Sequence, residues 1–269
     1  MTPSRNGVTL ELLALDKGPG MANLRECLRD GFSTAGTPGN GLGAIGRLSS
    51  FSDIYSQPGR GTVLYSVISN DSQINLPAPR MTVLRVPKPG EAVCGDNWEL
   101  KQGRGRVTFM VADGLGHGPN AAEAAHCAAE IVRKHADAAP KDLLESVHQG
   151  LRHTRGAAVS IVELDEDRRV VRFAGLGNVA GSLCHRDGLR QQMVSMNGTA
   201  GMEGRNIFRE FSYPWPEGAV VVLHSDGLGT RWDLAEYPSL VSRGSGLIAG
   251  ALFRDYWRGT DDALVAVLG

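Results

Sequence analysis

Four acidic positions constrain this chain more than any other feature, because each lies at the end of a strand-like apolar run or in the turn beside it. Asp113 closes the run VTFMVAD, and Asp226 closes AVVVLHSD. Asp96 lies in the segment CGDNW, and Asp261 opens TDDALVAVL together with Asp262. Strands that end side by side in a sheet bring such side chains into one acidic cluster. Buried carboxylates are strongly disfavoured without a counter-charge, so a cluster of them requires cations.

The ligand type narrows the choice of cation. A set made only of oxygen donors favours hard ions such as Mg²⁺ or Mn²⁺. Asp-Gly is also among the commonest turn dipeptides, so Asp113 or Asp226 taken alone has a simpler interpretation as a turn aspartate. Both follow a long β run and both precede Gly-Leu-Gly, however, and the joint pattern favours metal ligands. Gly114 lacks a Cβ, so its backbone can approach a metal-bound water or offer its carbonyl oxygen.

Composition excludes several classes of function. The chain has 269 residues, of which 42% are hydrophobic and 21% charged, an ordinary balance for a globular protein with its own core. A net charge of −1 gives no field that attracts nucleic acid or anionic membrane, so neither is predicted as a partner. No run approaches the ~20 apolar residues of a membrane span, and the N-terminus lacks the apolar core of a signal peptide.

The cysteines indicate the compartment. The chain has four, none of them in a CxxC pair, and scattered single cysteines are typical of a reducing compartment. We therefore favour free thiols over disulfides and expect a cytoplasmic protein without membrane insertion.

Hydrophobic periodicity divides the chain into two parts. In the first part, residues 8–15 and 61–69 predict strands, and residues 21–31 and 43–51 predict short helices. The polar, Pro-rich stretch 70–80 has the character of a linker. Beyond it, helices are predicted over 119–136 and 140–152, and strands over 81–86, 106–112, 157–164, 169–174, 180–184, 219–224 and 263–268. This order predicts a layered α/β (α+β) fold rather than a repeated βαβ unit.

The segment VADGLGHGPNAAEAA resembles the DGxGHG signature of the SpoIIE-like branch of the PPM (PP2C-type) serine/threonine phosphatases. A GD pair before it, SDG late in the chain and a closing DD follow in the family's order across about residues 81–269. The resemblance implies a PPM-type α-β-β-α sandwich. It places the family's metal ligands at Asp96, Asp113, Asp226 and Asp261, with the Gly114 carbonyl as a further ligand.

The same resemblance implies a mechanism and a partner. In PPM phosphatases two divalent ions, Mn²⁺ or Mg²⁺, activate a water that attacks the phosphorus in line, without a covalent phospho-enzyme. Similarity to bacterial partner-switching systems implies a phosphorylated STAS-domain or anti-sigma-antagonist-like protein as substrate. Serine/threonine phosphatase activity on such a protein is therefore the predicted function.

The chain departs from the family pattern at two places, and the first of them keeps an alternative open. Relatives usually continue the closing acidic pair with Met-Thr, whereas this chain has Ala263-Leu264. A non-catalytic module that binds STAS partners is therefore the second hypothesis. The animal branch places a histidine, the family's candidate general acid, where this chain has Leu115. For His117 we expect a hydrogen bond that shapes the loop rather than proton transfer, since general acid catalysis needs strict geometry.

The segments DKGPGM and GNGLGAIGRLS, followed by Gly61-Thr62, resemble the three glycine-containing boxes of the GHKL ATP-binding fold of RsbT-like anti-sigma kinases. A flexible glycine-rich connector is the simpler interpretation of any one of its boxes taken alone. The upstream helix whose asparagine holds the ATP-bound Mg²⁺ is missing before DKGPGM, so ATP binding and a third hypothesis, kinase activity, are not favoured. We predict a partial GHKL α/β sandwich over 1–72, a linker over 73–80 and a phosphatase domain over 81–269. The residues that the resemblance assigns to ATP are Asp16, Gly18, Gly20, Gly39, Gly41, Gly43 and Thr62.

Overall fold

A computed structural model describes residues 2–4, 7–33, 38–69, 81–103, 105–135, 137–203 and 207–269. The predicted linker over 73–80 lies outside these ranges. The helices of the described residues are α1 (Leu24–Cys27), α2 (Gly41–Leu48), α3 (Pro119–His135), α4 (Pro140–Gly150) and α5 (Ser245–Tyr256). The strands are β1 (Thr2–Ser4), β2 (Gly7–Asp16), β3 (Phe51–Gln57), β4 (Gly61–Ser69), β5 (Met81–Val86), β6 (Asp96–Gly103), β7 (Arg106–Gly114), β8 (Ala157–Asp165), β9 (Val170–Leu176), β10 (Ala180–Cys184), β11 (Arg190–Gln192), β12 (Phe211–Pro214), β13 (Val220–His224) and β14 (Ala263–Leu268).

Two antiparallel five-stranded sheets form the centre of the molecule. Their strand orders are β12-β9-β8-β7-β6 and β11-β10-β13-β14-β5. The inner faces pack on each other through side chains that alternate along the strands, among them Phe109 and Val111 of β7 and Val221 and Leu223 of β13. This alternation follows from the two-residue period of a strand, which sends every second side chain to the same face.

Helices cover the outer faces of both sheets. Helices α3 and α4 lie on the β12-β9-β8-β7-β6 sheet, where the alanines of α3, including Ala125 and Ala128, pack with Leu144 of α4. Small side chains allow a helix to approach a sheet closely, which explains the alanine content of α3. Helix α5 covers the second sheet, and its Ile248 and Leu252 pack with Val265 of β14. The predicted α-β-β-α sandwich is confirmed.

A third sheet, formed by the front of the chain, packs on the far side of α5. Its strand order is β1-β2-β4-β3, and Val63 and Tyr65 of β4 belong to the same buried cluster as α5. Arg60 forms a 2.6 Å ion pair with Glu236, and Arg243 pairs with Asp53, so polar contacts border the apolar one. The front sheet and the phosphatase-like sandwich therefore share one hydrophobic core.

The sequence located most elements and missed others for identifiable reasons. The helices predicted over 119–136 and 140–152 are present, and the helix predicted over 43–51 is present as α2 but ends at Leu48. The helix predicted over 21–31 is reduced to α1, and strand β3, which begins at Phe51, was not predicted. Helix α5 was missed because it is buried on both sides, so that SGLIAGALF has no polar face to reveal a helical period. Strand β6 was missed because it is polar and lies at a sheet edge.

All four cysteines are free thiols, as predicted. Among the helices of the described residues, none combines the length and the apolar character that crossing a bilayer would require.

Candidate active site

The ends of four strands bring the predicted acidic residues together between the two central sheets. Asp96 begins β6 and pairs directly across from Asp113 near the end of β7. Asp226 follows β13 by two residues, and Asp261 lies two residues before β14, the strand that pairs with β13. Because the neighbouring strands run antiparallel, the end of one lies beside the start of the next. All four aspartates predicted from the sequence therefore lie at one end of the sandwich.

A buried serine connects the two sheets at this point. The Ser225 hydroxyl donates to Oδ2 of Asp96 at 2.6 Å and accepts the backbone N–H of Leu264 at 2.9 Å. The other carboxylate oxygen of Asp96, Oδ1, is buried and has no hydrogen-bond partner among the described residues. Sequence reasoning missed the role of Ser225, although the serine stands in the SDG motif.

Asp262 lies deeper than its neighbour Asp261. Its Oδ1 accepts the backbone N–H of Lys88 at 2.9 Å, while its Oδ2 is buried and, within the described ranges, without a partner. A Cβ on Gly95 would come within 2.7 Å of that same Oδ2, so only glycine leaves room for it. The sequence favoured Asp261 as the ligand from the closing pair, and the structure adds Asp262 to the site.

Asp226 is held from the side by an amide that the sequence did not single out. Asn178, in the turn after β9, donates through Nδ2 to Oδ2 of Asp226 at 2.7 Å. Burial raises the pKa of Asp226, and the charge of Asp261 raises it further, whereas Arg258 and the Asn178 bond oppose the shift. The carboxylate of Asp226 is thus held in one orientation, and its surroundings carry too little positive charge to compensate it.

The pKa values of Asp96 and Asp113 indicate the same lack of compensating positive charge, and they are shifted further. Burial, together with the negative charges of the neighbouring aspartates, raises the pKa of Asp96 to about 7 and that of Asp113 to about 9. A buried group of like charges is unfavourable unless a cation compensates it. The two buried, unpartnered carboxylate oxygens and the all-oxygen donor set therefore fit a hard divalent cation.

The side chains are not preset as a finished coordination shell. Among the described residues, no three acidic, histidine or cysteine side chains surround a single point as the ligands of an ion would. Several carboxylate oxygens instead accept hydrogen bonds from the protein, as Asp96 does from Ser225 and Asp226 from Asn178. Binding an ion therefore requires small side-chain rotations within a site that already contains the ligands.

The glycine-rich loop after β7 joins the acidic end of the sheet to α3. A Cβ on Gly114 would lie 2.1 Å from the carbonyl oxygen of Ala121 in the first turn of α3, so this close approach requires glycine. Nδ1 of His117 lies 2.6 Å from Oε1 of Glu91, in the turn after β5. The predicted hydrogen bond that shapes this loop is therefore present.

The residues assigned to ATP make close contacts within the described part of the front segment. Asp16 accepts the N–H of Gly18 at 2.7 Å, within its own turn. A Cβ on Gly43, in α2, would meet Oδ1 of Asp30 at 2.2 Å, and that aspartate pairs with Arg47 at 2.7 Å. The carboxylate of Asp30 thus lies close to Gly43. Among the other positions, Gly20 and Gly39 pack against the Gln57 and Phe32 carbonyls, Gly41 begins α2, and Thr62 pairs across from Asp16.

Comparison with known proteins identifies the sandwich. Residues 103–235 match the family described as Stage II sporulation protein E (SpoIIE). Phosphoserine phosphatase RsbX of Bacillus subtilis (strain 168) is 25% identical over 146 residues, which cover 54% of this chain and 73% of RsbX. A crystal structure of RsbX in complex with magnesium superposes with a TM-score of 0.59 at 22% identity, covering 70% of this chain and 92% of that one.

A second relative concerns a kinase. Serine/threonine-protein kinase RsbT of Bacillus subtilis (strain 168) is 38% identical over 58 residues, which cover 22% of this chain but only 44% of RsbT. Less than half of a kinase is matched, so the likeness does not supply an ATP site. The signature loop, the acidic strand ends, the sandwich architecture and the family match agree, and the chain contains a SpoIIE-type domain of the PP2C-type phosphatases that includes residues 103–235.

Proposed function

We propose that this protein hydrolyses phosphoserine or phosphothreonine on a regulatory protein, with divalent cations bound between the two central sheets. The observation that carries the proposal is the buried acidic end of the sandwich. Oδ1 of Asp96 and Oδ2 of Asp262 are buried there without a partner among the described residues. The charges of the neighbouring aspartates also raise the pKa values of Asp96 and Asp113. Two buried carboxylates beside three partly exposed ones favour a site that binds cations.

The proposed ligands are Asp96, Asp113, Asp226 and Asp261, with the carbonyl oxygen of Gly114. When bound, two Mg²⁺ or Mn²⁺ ions would supply a water of lowered pKa and neutralise charge on the phosphoryl oxygens. Ser225 and Asn178 fix the orientation of two of these carboxylates through their hydrogen bonds. The contact between His117 and Glu91 holds the loop that carries Gly114.

The proposed substrate is a phosphorylated STAS-domain or anti-sigma-antagonist-like protein in the cytoplasm. Two relatives support this class: RsbX is named a phosphoserine phosphatase and RsbT a serine/threonine-protein kinase. We also propose residues 81–269 as the phosphatase domain and residues 1–72 as a GHKL-derived segment without ATP-dependent activity. The carboxylate of Asp30 beside Gly43 argues against a bound nucleotide phosphate there.

The test is release of phosphate from p-nitrophenyl phosphate and from a phosphoserine peptide, with and without Mn²⁺. We expect activity that requires Mn²⁺ and that Asp113→Ala abolishes. Asp137→Ala is the matched control, because its side chain is 97% exposed and makes only a long ion pair, 3.4 Å, with Lys101. If wild type and Asp113→Ala are equally inert with Mn²⁺ supplied, and calorimetry detects no Mn²⁺ binding, the protein is a binding module rather than an enzyme.

The closing acidic pair provides an internal comparison. Asp261→Ala and Asp262→Ala remove neighbouring carboxylates of the same site, one partly exposed and one buried. We expect Asp261→Ala to weaken Mn²⁺ binding more, because the family register assigns the metal to Asp261. A larger loss of Mn²⁺ affinity in Asp262→Ala would move the ligand assignment by one residue and leave the enzymatic proposal intact.

A further inference from the structure

A groove opens on the surface directly beside Asp96, outside the acidic site itself. It has a volume of about 440 Å³ and lies between the turn after β5, the start of β6 and the first half of α3. Asp96 lines this groove and also belongs to the acidic site, so the groove lies directly next to that site. The side chains that matter for its chemistry are Arg85, Pro87, Val93, Asn97, Ala122 and His126.

Arg85 is the cation of the groove, and the protein holds it in place. Its Nη1 donates to Oδ1 of Asn97 at 2.9 Å and lies 3.4 Å from the carbonyl oxygen of Asp96. In the described structure both bonds use the same nitrogen, which leaves Nη2 and Nε for a ligand. A guanidinium with two free N–H groups in one plane is suited to a carboxylate, which it binds through two parallel hydrogen bonds.

The charge balance of the groove favours an acidic occupant. Of the residues that line it, Arg85 is the one permanent cation and Asp96 is the one carboxylic acid. The carboxylate of Asp96 belongs to the proposed cation site, where bound ions would compensate it. The positive charge of Arg85 is then the net charge offered to a ligand, and Pro87, Val93 and Ala122 add apolar surface beside it.

We propose that this groove binds the segment of the substrate protein that flanks the phosphorylated residue, and that Arg85 selects an acidic side chain in that segment. This inference rests on the proposed function, because a flanking segment enters the groove only if the phosphorylated residue enters the acidic site. Because Asp96 lies in both, the groove is next to the proposed cation site, and the positive charge of Arg85 favours an acidic side chain in the bound segment. Asn97 acts as a positioning residue for the guanidinium.

The test uses phosphoserine peptides on an alanine background with one glutamate moved through each position from four before to four after the phosphoserine. At one or two positions we expect glutamate to raise kcat/KM about tenfold over the all-alanine peptide, through a lower KM. That factor is the size of one partly exposed charge-assisted hydrogen bond. Arg85→Glu should remove the preference for the glutamate peptide. The same variant should instead prefer a peptide with arginine at that position.

A small substrate and a control variant show whether Arg85 binds the flanking segment or the phosphoryl group. If Arg85 contacts the phosphoryl group itself, Arg85→Glu lowers kcat/KM for p-nitrophenyl phosphate as much as for the glutamate peptide, and the proposal is overturned. The control is Arg168→Glu, in the turn after β8 at the opposite end of the sheet. Its backbone N–H binds Asp165, which lies seven residues along β8 from the partner of Asp113 and hence about 23 Å from it. This substitution should leave the peptide preference unchanged.

Binding measured without turnover distinguishes failure of this proposal from failure of the proposed function. Fluorescence anisotropy with labelled peptides would use Asp113→Asn, alone and combined with Arg85→Glu, so that no peptide is consumed. Tighter binding of the glutamate peptide that depends on Arg85 supports the groove even if no phosphate is released by wild type. Equal binding of glutamate, alanine and arginine peptides would refute the groove proposal, whatever the enzyme assay shows.

Discussion

Replacing Ser225 by alanine tests whether the two central sheets are connected through the acidic site. The hydroxyl is fully buried and makes two hydrogen bonds, one to the carboxylate of Asp96 and one from the N–H of Leu264. Alanine keeps the packing but leaves both partners buried and unsatisfied. Each such group costs about 1–3 kcal/mol, so we expect the free energy of unfolding to fall by about 2–5 kcal/mol.

The assay is urea unfolding at pH 7 in the presence of a chelator, followed by tryptophan fluorescence. Ser242→Ala is the matched control, because its exposed hydroxyl donates only to the nearby carbonyl of Ser239. We expect it to remain within about 0.5 kcal/mol of wild type, as surface substitutions usually do. A Ser225→Ala protein as stable as that control would show that the connection through the serine contributes nothing.

The same substitution has a second, separable effect on the metal site. The Ser225 bond lowers the pKa of Asp96, against the burial that raises it. Without that bond, protons compete more strongly for the carboxylate, so Mn²⁺ affinity at pH 7 should fall and should recover as the pH is raised. Calorimetric titrations at pH 7 and pH 9 measure this. Equal loss of affinity at both pH values would contradict the protonation argument.

Three further predictions concern charge and packing. Asp96→Asn should stabilise the metal-free protein at pH 8 while removing activity, because it deletes a buried carboxylate whose pKa is raised to about 7; chelator-treated melting curves check this, and a lower Tm would contradict it. Burial lowers the pKa of His224 from 6.5 to about 4, so the unfolded chain takes up this proton at a higher pH than the folded protein does. The contribution of neutral His224 to the free energy of unfolding is therefore fully present above about pH 6.5 and is lost as the pH falls toward 4. The loss should total about 3 kcal/mol, and His224→Gln, compared with wild type by urea unfolding across that range, should remove this part of the slope. Val63→Ala should cost about 2 kcal/mol and lower the melting temperature of the whole chain in one transition, because Val63 is buried in the core that the front sheet shares with α5; two separate transitions in calorimetry would refute the shared core.

The acidic site could be predicted from the sequence because the information is local. Asp113 and Asp226 each close an apolar run and precede a glycine, which fixes both the strand and the turn that follows. Asp262, Ser225 and Asn178 could not be derived in the same way. Their roles depend on which loops meet across the two sheets, and that contact is set by tertiary packing rather than by any pattern within a segment.

The elements that were missed show the same limit. Helix α5 has apolar surface on opposite sides, because one side faces β14 and the other faces the front sheet. A helical period is visible only when one face is polar, so burial on both sides erases the signal. Strand β6 shows the converse, since its polar, edge-strand sequence hides a pairing with β7 that runs over eight residues.

The register between β6 and β7 sets the relative position of two proposed metal ligands. Asp96 and Asp113 face each other because Trp98 lies opposite Val111 and Leu100 opposite Phe109 along the same hairpin. A slip of one residue would turn Trp98 away from Phe109, which it contacts at 5.8 Å between ring centroids, and would send Asp96 to the wrong face. The distance between these two aspartates thus depends on the packing of Trp98 against Phe109, several residues away. Substitutions in this aromatic packing can therefore weaken metal binding and activity even when every aspartate is kept.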